Sequence, residues 1–197
     1  DENGNPQTYD AEGNKTRTPV AESIEYNGTY RPKYSGSLST DFKYKNLLLS
    51  FAFVYNFGHV FRIAYPTMNP LERAADLSAF VAKRWQKPGD ENKTDIPATL
   101  TWESYDGIRQ HLASYSSNSV RKGDFIRLRE ITLNYELPSQ LIKKTPFSRV
   151  SLTAQANTVW MWTKNKEGFD PEAVDPIHGT LGLSEAPSFT FGLRVEF

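Results

Sequence analysis

The chain has no cysteine, two methionines and three histidines in 197 residues. Without thiols there is no disulfide framework, no cysteine-ligated zinc and no thiol nucleophile. The absence suits an oxidising compartment. His59, His111 and His178 are scattered among expected loops and strand ends. Neither HExxH, GxSxG nor a phosphate-binding glycine loop occurs, so no enzyme is expected. Charge of one sign is also lacking: 23 Lys+Arg balance 23 Asp+Glu. A neutral chain gives no general electrostatic reason to bind nucleic acid or an anionic membrane surface. Mean hydropathy is −0.58, and no apolar run approaches the ~20 residues of a spanning helix. The first residues, from Asp1, are polar and carry no signal-peptide pattern. What is plentiful is aromatic: 12 Phe, 10 Tyr and 4 Trp make 13% of the chain. Aromatics in a polar sequence fit either a carbohydrate-binding module or a transmembrane β-barrel.

Residues 1–29 read as a loop, with turn signals at Asn3-Gly4-Asn5-Pro6, Glu12-Gly13-Asn14 and Asn27-Gly28. Tyr34 to Tyr44 and Leu47 to Tyr55 alternate apolar and small or polar residues with period two, joined by Lys45-Asn46. That is a hairpin, placed at 30–57. Residues 58–122 form a long loop in which Asn69 to Pro88 has a capped helical pattern through Leu71, Ala74, Ala75, Phe80, Val81 and Trp85. The remainder of that loop reads as irregular. A second hairpin spans 123–162. In its first strand the apolar phase slips between Ile126, Leu128 and Ile131, Leu133, Tyr135, which places a β-bulge near Arg129-Glu130. After a loop at 163–187, residues 188–197 form a last strand, with Phe189, Phe191, Leu193, Val195 and Phe197 on one face.

Short and long connections alternate, as periplasmic turns and extracellular loops do in outer-membrane barrels. The expected fold is therefore all-β: an antiparallel transmembrane β-barrel segment with long extracellular loops, one holding a short helix. A soluble sandwich or jelly roll with large loops is the competing fold. Five strands cannot close a membrane barrel, for which about eight is the minimum. On the barrel reading the chain is part of something larger, since an open edge in lipid leaves backbone groups unpaired.

Four collinear stretches carry a likeness. Gly123 to Pro138 (GDFIRLREITLNYELP) resembles the late-barrel motif of the SusC/RagA family of TonB-linked outer-membrane transporters. Arg84-Trp85, Pro88-Gly89-Asp90 and Thr94-Asp95-Ile96-Pro97 resemble its RW…PGD…TDIP loop. Asn157 to Trp162 with Gly168-Phe169-Asp170-Pro171-Glu172 is similar to its N…TW…GxDPE stretch, and Phe191-Gly192-Leu193 with Phe197 to its closing strand. The resemblance implies about the last five strands of a 22-stranded barrel in the outer membrane of a Gram-negative bacterium, one of the Bacteroidota. It implies a barrel remainder and plug, a SusD-like surface lipoprotein as lid and energy from TonB. The implied cargo is oligosaccharide, in some members peptide. A SusC-like barrel serving only as a structural subunit is a further alternative.

Several residues become candidates. Arg127, Arg129 and Glu130 are charges inside a strand. Arg in mid-bilayer costs about 2–4 kcal/mol, so they should face the lumen and pair with wall, plug or substrate groups. Trp85, Trp102, Tyr105 and Tyr115 are loop aromatics able to meet ligand or lid, or to hold the loop together. Asp170, Glu172 and Asp175 could bind calcium through oxygen ligands, although Asp-Pro and Pro-Glu steps more often shape a turn. Asp1, Asn3 and Asn5 with Gly4 match a calcium loop only weakly, so no cofactor is expected beyond a calcium alternative. Phe191, Gly192, Leu193, Val195 and Phe197 resemble the signal read by outer-membrane assembly machinery.

Overall fold

The computed structural model describes residues 1–65, 82–103 and 105–197. Nine strands lie among them: β1 (Thr8–Tyr9), β2 (Lys15–Thr16), β3 (Tyr34–Tyr44), β4 (Leu47–Phe57), β5 (Val60–Arg62), β6 (Val120–Lys122), β7 (Phe125–Glu136), β8 (Arg149–Thr163) and β9 (Ser188–Glu196). The chain divides into two compact units. One comprises Asp1–Tyr30, Val60–Arg121 and Val174–Gly182; the other Arg31–His59, Lys122–Ala173 and Leu183–Phe197.

The second unit is an antiparallel five-stranded sheet in the order β3-β4-β7-β8-β9. Alternation decides its two faces. Tyr44, Leu47, Tyr135, Leu152 and Leu193 align across all five strands, as do Phe42, Leu49, Leu133, Ala154 and Phe191. One residue away, the row is Asp41, Ser50, Thr132, Gln155 and Thr190. The apolar face is uncovered: Phe42 is 60% exposed, Leu193 66% and Phe191 81%. The buried apolar residues of this unit are Phe125, Ile142 and Val150. A sandwich would cover the apolar rows with a second sheet. Among the described residues the other sheets are the two-stranded pairs β1-β2 and β5-β6. The sheet is a segment of barrel wall.

Local chemistry sets the register. Lys45 takes φ 52 in the two-residue turn, a left-handed conformation that costs a non-glycine residue about 1–2 kcal/mol. The turn is stitched to β7 by Glu136 N–H donating to Asn46 O, and by Asn46 Nδ2 donating to Glu136 O, both at 2.9 Å. Gly36 pairs with Tyr55; a Cβ on Gly36 would come 2.4 Å from the Tyr55 hydroxyl oxygen, so the phenol lies over the bare backbone. The bulge occurs where the phase slip put it. Pairing of β4 with β7 shifts between Ala52 and Phe53, leaving Arg129 as the extra residue, and pairing of β7 with β8 shifts between Leu128 and Glu130. Ile131 and Leu128 thereby stay on the face of Phe51 and Phe53. Opposite, β8 has a distortion of its own: Thr158 sits at φ 54, a strained conformation for a β-branched residue.

The expected hairpins match β3 with β4 and β7 with β8, and the last strand matches β9. Between β7 and β8 the chain makes one helical turn, Ser139–Ile142. Leu137 N–H donates to Val150 O and Ser148 N–H to Glu196 O, at 2.9 and 2.8 Å.

The first unit has its own small core, with Phe61, Ile63, Tyr65, Ile96, Leu112, Ala113 and Val174 buried. Two corrections arise here. The N-terminal 29 residues are not loop throughout, because β1 and β2 pair with Thr8 opposite Thr16. Helix α1 (Gly107–Tyr115) occupies part of the loop expected to be irregular. Asp106 starts it, its Oδ1 accepting from Ile108 N–H at 3.0 Å. Of the expected helix at Asn69 to Pro88, residues 69–81 lie outside the described residues. Trp85 belongs to no helix: its N–H donates to Ile96 O at 2.9 Å.

The face assignment has a direct test. In the full-length protein, Phe51→Arg should cost about 2–4 kcal/mol near mid-bilayer and lower the folded outer-membrane level several-fold. Ser50→Arg, one residue away on the other face, should leave that level near normal. Heat-modifiable gel mobility of membrane fractions reads both.

Candidate functional site

β7 carries the charges singled out from the sequence, and two of the three build one network. The Arg127 side chain is 3% exposed. Its Nη2 donates to Asp170 Oδ1 at 2.5 Å, and Met161 Sδ lies 3.2 Å from the same nitrogen. Arg127 Nε is 2.8 Å from Glu172 Oε2, an ion-pair contact bent away from hydrogen-bond alignment. Arg129 Nη2 reaches Glu172 Oε1 at 2.5 Å, and Nη1 reaches Glu185 Oε2 at 3.2 Å. Two arginines thus hold carboxylates from both stems of the loop between β8 and β9. Glu130 stays apart, accepting from Thr132 Oγ1 at 2.7 Å.

The loop is shaped to deliver those carboxylates. Asn165 is buried; its Nδ2 donates to Thr163 Oγ1 and Phe169 O, and its Oδ1 accepts from Phe169 N–H. Asp170 Oδ1 also accepts from Glu172 N–H at 3.0 Å, the turn expected of an Asp-Pro-Glu step. Asp175 has a different role: its carboxylate accepts from Ile177 N–H, His178 N–H and His178 Nδ1. The hydrogen bonds from His178, backbone first and ring second, hold its pKa down at about 2. Asp170 and Glu172 therefore face guanidinium groups, and Asp175 caps its own turn. Among the described residues no three His, Asp or Glu side chains are grouped to hold a metal ion. Asp1 also serves its own loop, its Oδ1 accepting from Asn3 N–H and Asn5 N–H.

The loop aromatics separate. Trp85 is half-buried, its indole N–H donating to Glu91 Oε2 at 3.1 Å. The ring fills the space where a Cβ on Gly4 would lie 2.6 Å away, and Gly4 has φ +71. The motif carboxylates around Trp85 are internal braces: Asp90 accepts from Gln86 and Lys87 N–H, and Glu91 from Gly89 N–H. Tyr105 and Tyr115 line a separate depression of about 330 Å³ with Gln110, His111, Ile177 and His178. Tyr105 hydroxyl donates to Gln110 Oε1 at 2.6 Å, and His111 packs on Tyr115 at 4.7 Å between ring centroids. Trp102 is 60% exposed. Of the proposed assembly residues, Phe191, Leu193 and Phe197 are exposed, and Phe197 packs edge-on against Phe147.

One organising residue escaped sequence reasoning. Arg109 on α1 is 2% exposed. Its guanidinium donates to Gly4 O at 2.7 Å, and also to Asn5 Oδ1 and Ala98 O. A lone arginine in a loop gives no signal of this, although the Asp106 cap could have disclosed its helix.

Comparison with known proteins adds the relationship. No family model matches the chain. It is 32% identical to TonB-dependent receptor P39 of Formosa agariphila over 178 residues, which is 83% of this chain and 16% of that protein. TonB-dependent receptor P3 of the same organism is 25% identical, over 86% of this chain and 17% of its own length. The chain matches a segment of these TonB-dependent receptors. It spans about a sixth of the length of these curated relatives. The fold agrees. The RagAB peptide importer in its closed-closed state superposes with a TM-score of 0.64 at 22% identity, over 96% of this chain and 20% of that one. Its open-open state gives 0.64 at 19%, over 100% and 21%. Among the described residues no helix is long and apolar enough to cross a membrane.

The arginine network makes a quantitative prediction. Removing one partner of a buried pair costs about 3–5 kcal/mol because the other charge is stranded, whereas replacing both with apolar groups is far milder. Arg127→Met alone should expose the 163–187 loop of the full-length protein to protease. Adding Asp170→Leu and Glu172→Met should restore much of the resistance. Equal protease sensitivity of single and triple variants would show that the network does not hold the loop.

Proposed function

We propose that this chain is wall and outer loops of a SusC-like, TonB-dependent outer-membrane transporter that imports oligosaccharides or peptides with a SusD-like lipoprotein. The observation that carries the reading is the uncovered apolar face running from Tyr44 to Leu193 across five strands. Such a face is stable in lipid and costly in water. The edge strands β3 and β9 each have one neighbour, and the remainder of a barrel of about 22 strands would supply the missing partners. The likeness to TonB-dependent receptors supports TonB coupling, and the likeness to a peptide importer supports uptake. On this reading the long loops are extracellular, where Tyr105 and Tyr115 meet cargo or lid. Calcium is not required by it.

Deleting the gene from its native bacterium should abolish growth on one oligosaccharide or peptide source, and the full-length gene should restore it only when TonB is present. Unchanged growth on every such source would leave a structural subunit. A folded, monodisperse protein recovered without detergent would favour the soluble binding module instead.

The same reading makes the outward row of β9 an assembly signal. Phe197 is 88% exposed, so its loss should cost no more than ~1–2 kcal/mol of burial. Phe197→Ala should therefore lower the surface level several-fold while the assembled protein keeps a near-normal Tm. Unchanged surface levels would remove the signal.

A further inference from the structure

The short-turn end of the sheet combines exposed apolar side chains with cations that no carboxylate neutralises. The β3–β4 turn, the β7–β8 connection and the end of β9 are tied side by side. Glu136 N–H donates to Asn46 O, Leu137 N–H to Val150 O and Ser148 N–H to Glu196 O. Both carboxylates on this rim are already paired. Glu136 accepts from Arg149 Nε and Nη2 at 2.8 and 2.9 Å, and Glu196 lies 3.0 Å from Arg194 Nη2. Lys45, Lys143 and Lys144 are exposed and, among the described residues, form no ion pair. Lys45 Nζ stands 5.3 Å from the centroid of the Tyr44 ring, which belongs to the outward apolar row. Leu141, two residues before Lys143, is 67% exposed.

We propose that this rim binds the headgroup of an anionic phospholipid, its phosphate drawn by Lys45, Lys143 and Lys144 and its chains lying along Tyr44 and Leu141. The inference rests on the membrane reading above. Charge complementarity selects the occupant. A zwitterionic headgroup returns as much positive charge as it neutralises, whereas an anionic one leaves a net attraction. Basic residues at a bilayer surface each contribute about 1 kcal/mol toward anionic lipid, so three lysines amount to roughly a hundredfold in affinity. The attraction falls with salt over a Debye length. Aromatic and long aliphatic groups at the interface complement it: the Tyr44 ring lies at the headgroup level, and lysine stems can bury against apolar surface while their ammonium groups stay wet.

The test uses the full-length receptor, purified in detergent and then inserted in phosphatidylcholine bilayers. Phosphatidylglycerol, phosphatidylethanolamine and inorganic phosphate are titrated separately, with native mass spectrometry counting retained lipid. Wild-type protein should favour phosphatidylglycerol over phosphatidylethanolamine at least tenfold. Lys45→Gln/Lys143→Gln/Lys144→Gln should lose tenfold to a hundredfold of phosphatidylglycerol affinity and none for phosphatidylethanolamine. Lys45→Arg/Lys143→Arg/Lys144→Arg, which keeps the charge, should behave as wild type. Equal affinity for the two lipids, unchanged binding in the glutamine variant, or competition by inorganic phosphate as strong as that of lipid would each overturn the proposal while leaving the membrane reading intact. Failure of the wild-type protein to insert into bilayers would overturn both.

Discussion

Every backbone N–H and C=O in a lipid-facing sheet must find its partner on the adjacent strand, because hydrocarbon offers none. That requirement fixes more of this chain than any side-chain contact does. It demands continuous ladders from β3 to β9 and forbids a slip of one residue, which would turn an apolar row inward. It also explains the stacked irregularity at Arg129 and Thr158. β7 has one residue too many for its apolar pattern, and the bulge absorbs that residue without breaking the ladder on either side.

The bulge has a chemical use. The wall must hold arginines without showing them to lipid; Arg129 is the residue at which the strand changes phase, and Arg127 precedes it by two. Arg127 lies buried against Asp170 and Arg129 stays partly open to Glu172 and Glu185. The loop carboxylates do the work that water would otherwise do for the guanidinium groups. Desolvation makes such a cluster poor at adding stability but effective at specifying one loop path, since each stranded charge is penalised.

The sequence disclosed what periodicity encodes. β3 and β4 were legible because period two runs through both without interruption, and the β7 bulge because the apolar residues change parity between Leu128 and Ile131. The distortion at Thr158 was not legible, since Ala154, Ala156 and Trp160 keep one parity across it and φ leaves no trace in composition. The Arg127 partners lie 43 residues away for Asp170, beyond any local pattern. Their motif could be read as a turn, which it is, but not as a clasp. Trp85 followed the helical spacing of the preceding residues, yet Glu91 and Gly4 fix it in an irregular segment. Asp106 signalled the start of α1, but only Ile108, Leu112 and Tyr115 follow it at helical spacing. The turn signals at Asn3-Gly4-Asn5-Pro6 and Glu12-Gly13-Asn14 mark two turns of identical design, whose shared bonding is not written in the signals themselves. Asp1 with Asn5 and Asp10 with Asn14 make the same three bonds, each closed by a positive-φ glycine.

The clasp at β7 has a mechanical side. Both stems of the β8–β9 loop end on arginines two residues apart on a single strand, so a pull on the loop tip is delivered to one short stretch of wall. β7 is bonded along its length to β4 and β8, and force directed along a strand loads those ladder bonds together, whereas force across it would part them one by one. A tug that would peel an edge strand is shared among many bonds when it enters through a central one. The loop is in this sense moored to the part of the sheet best able to bear load.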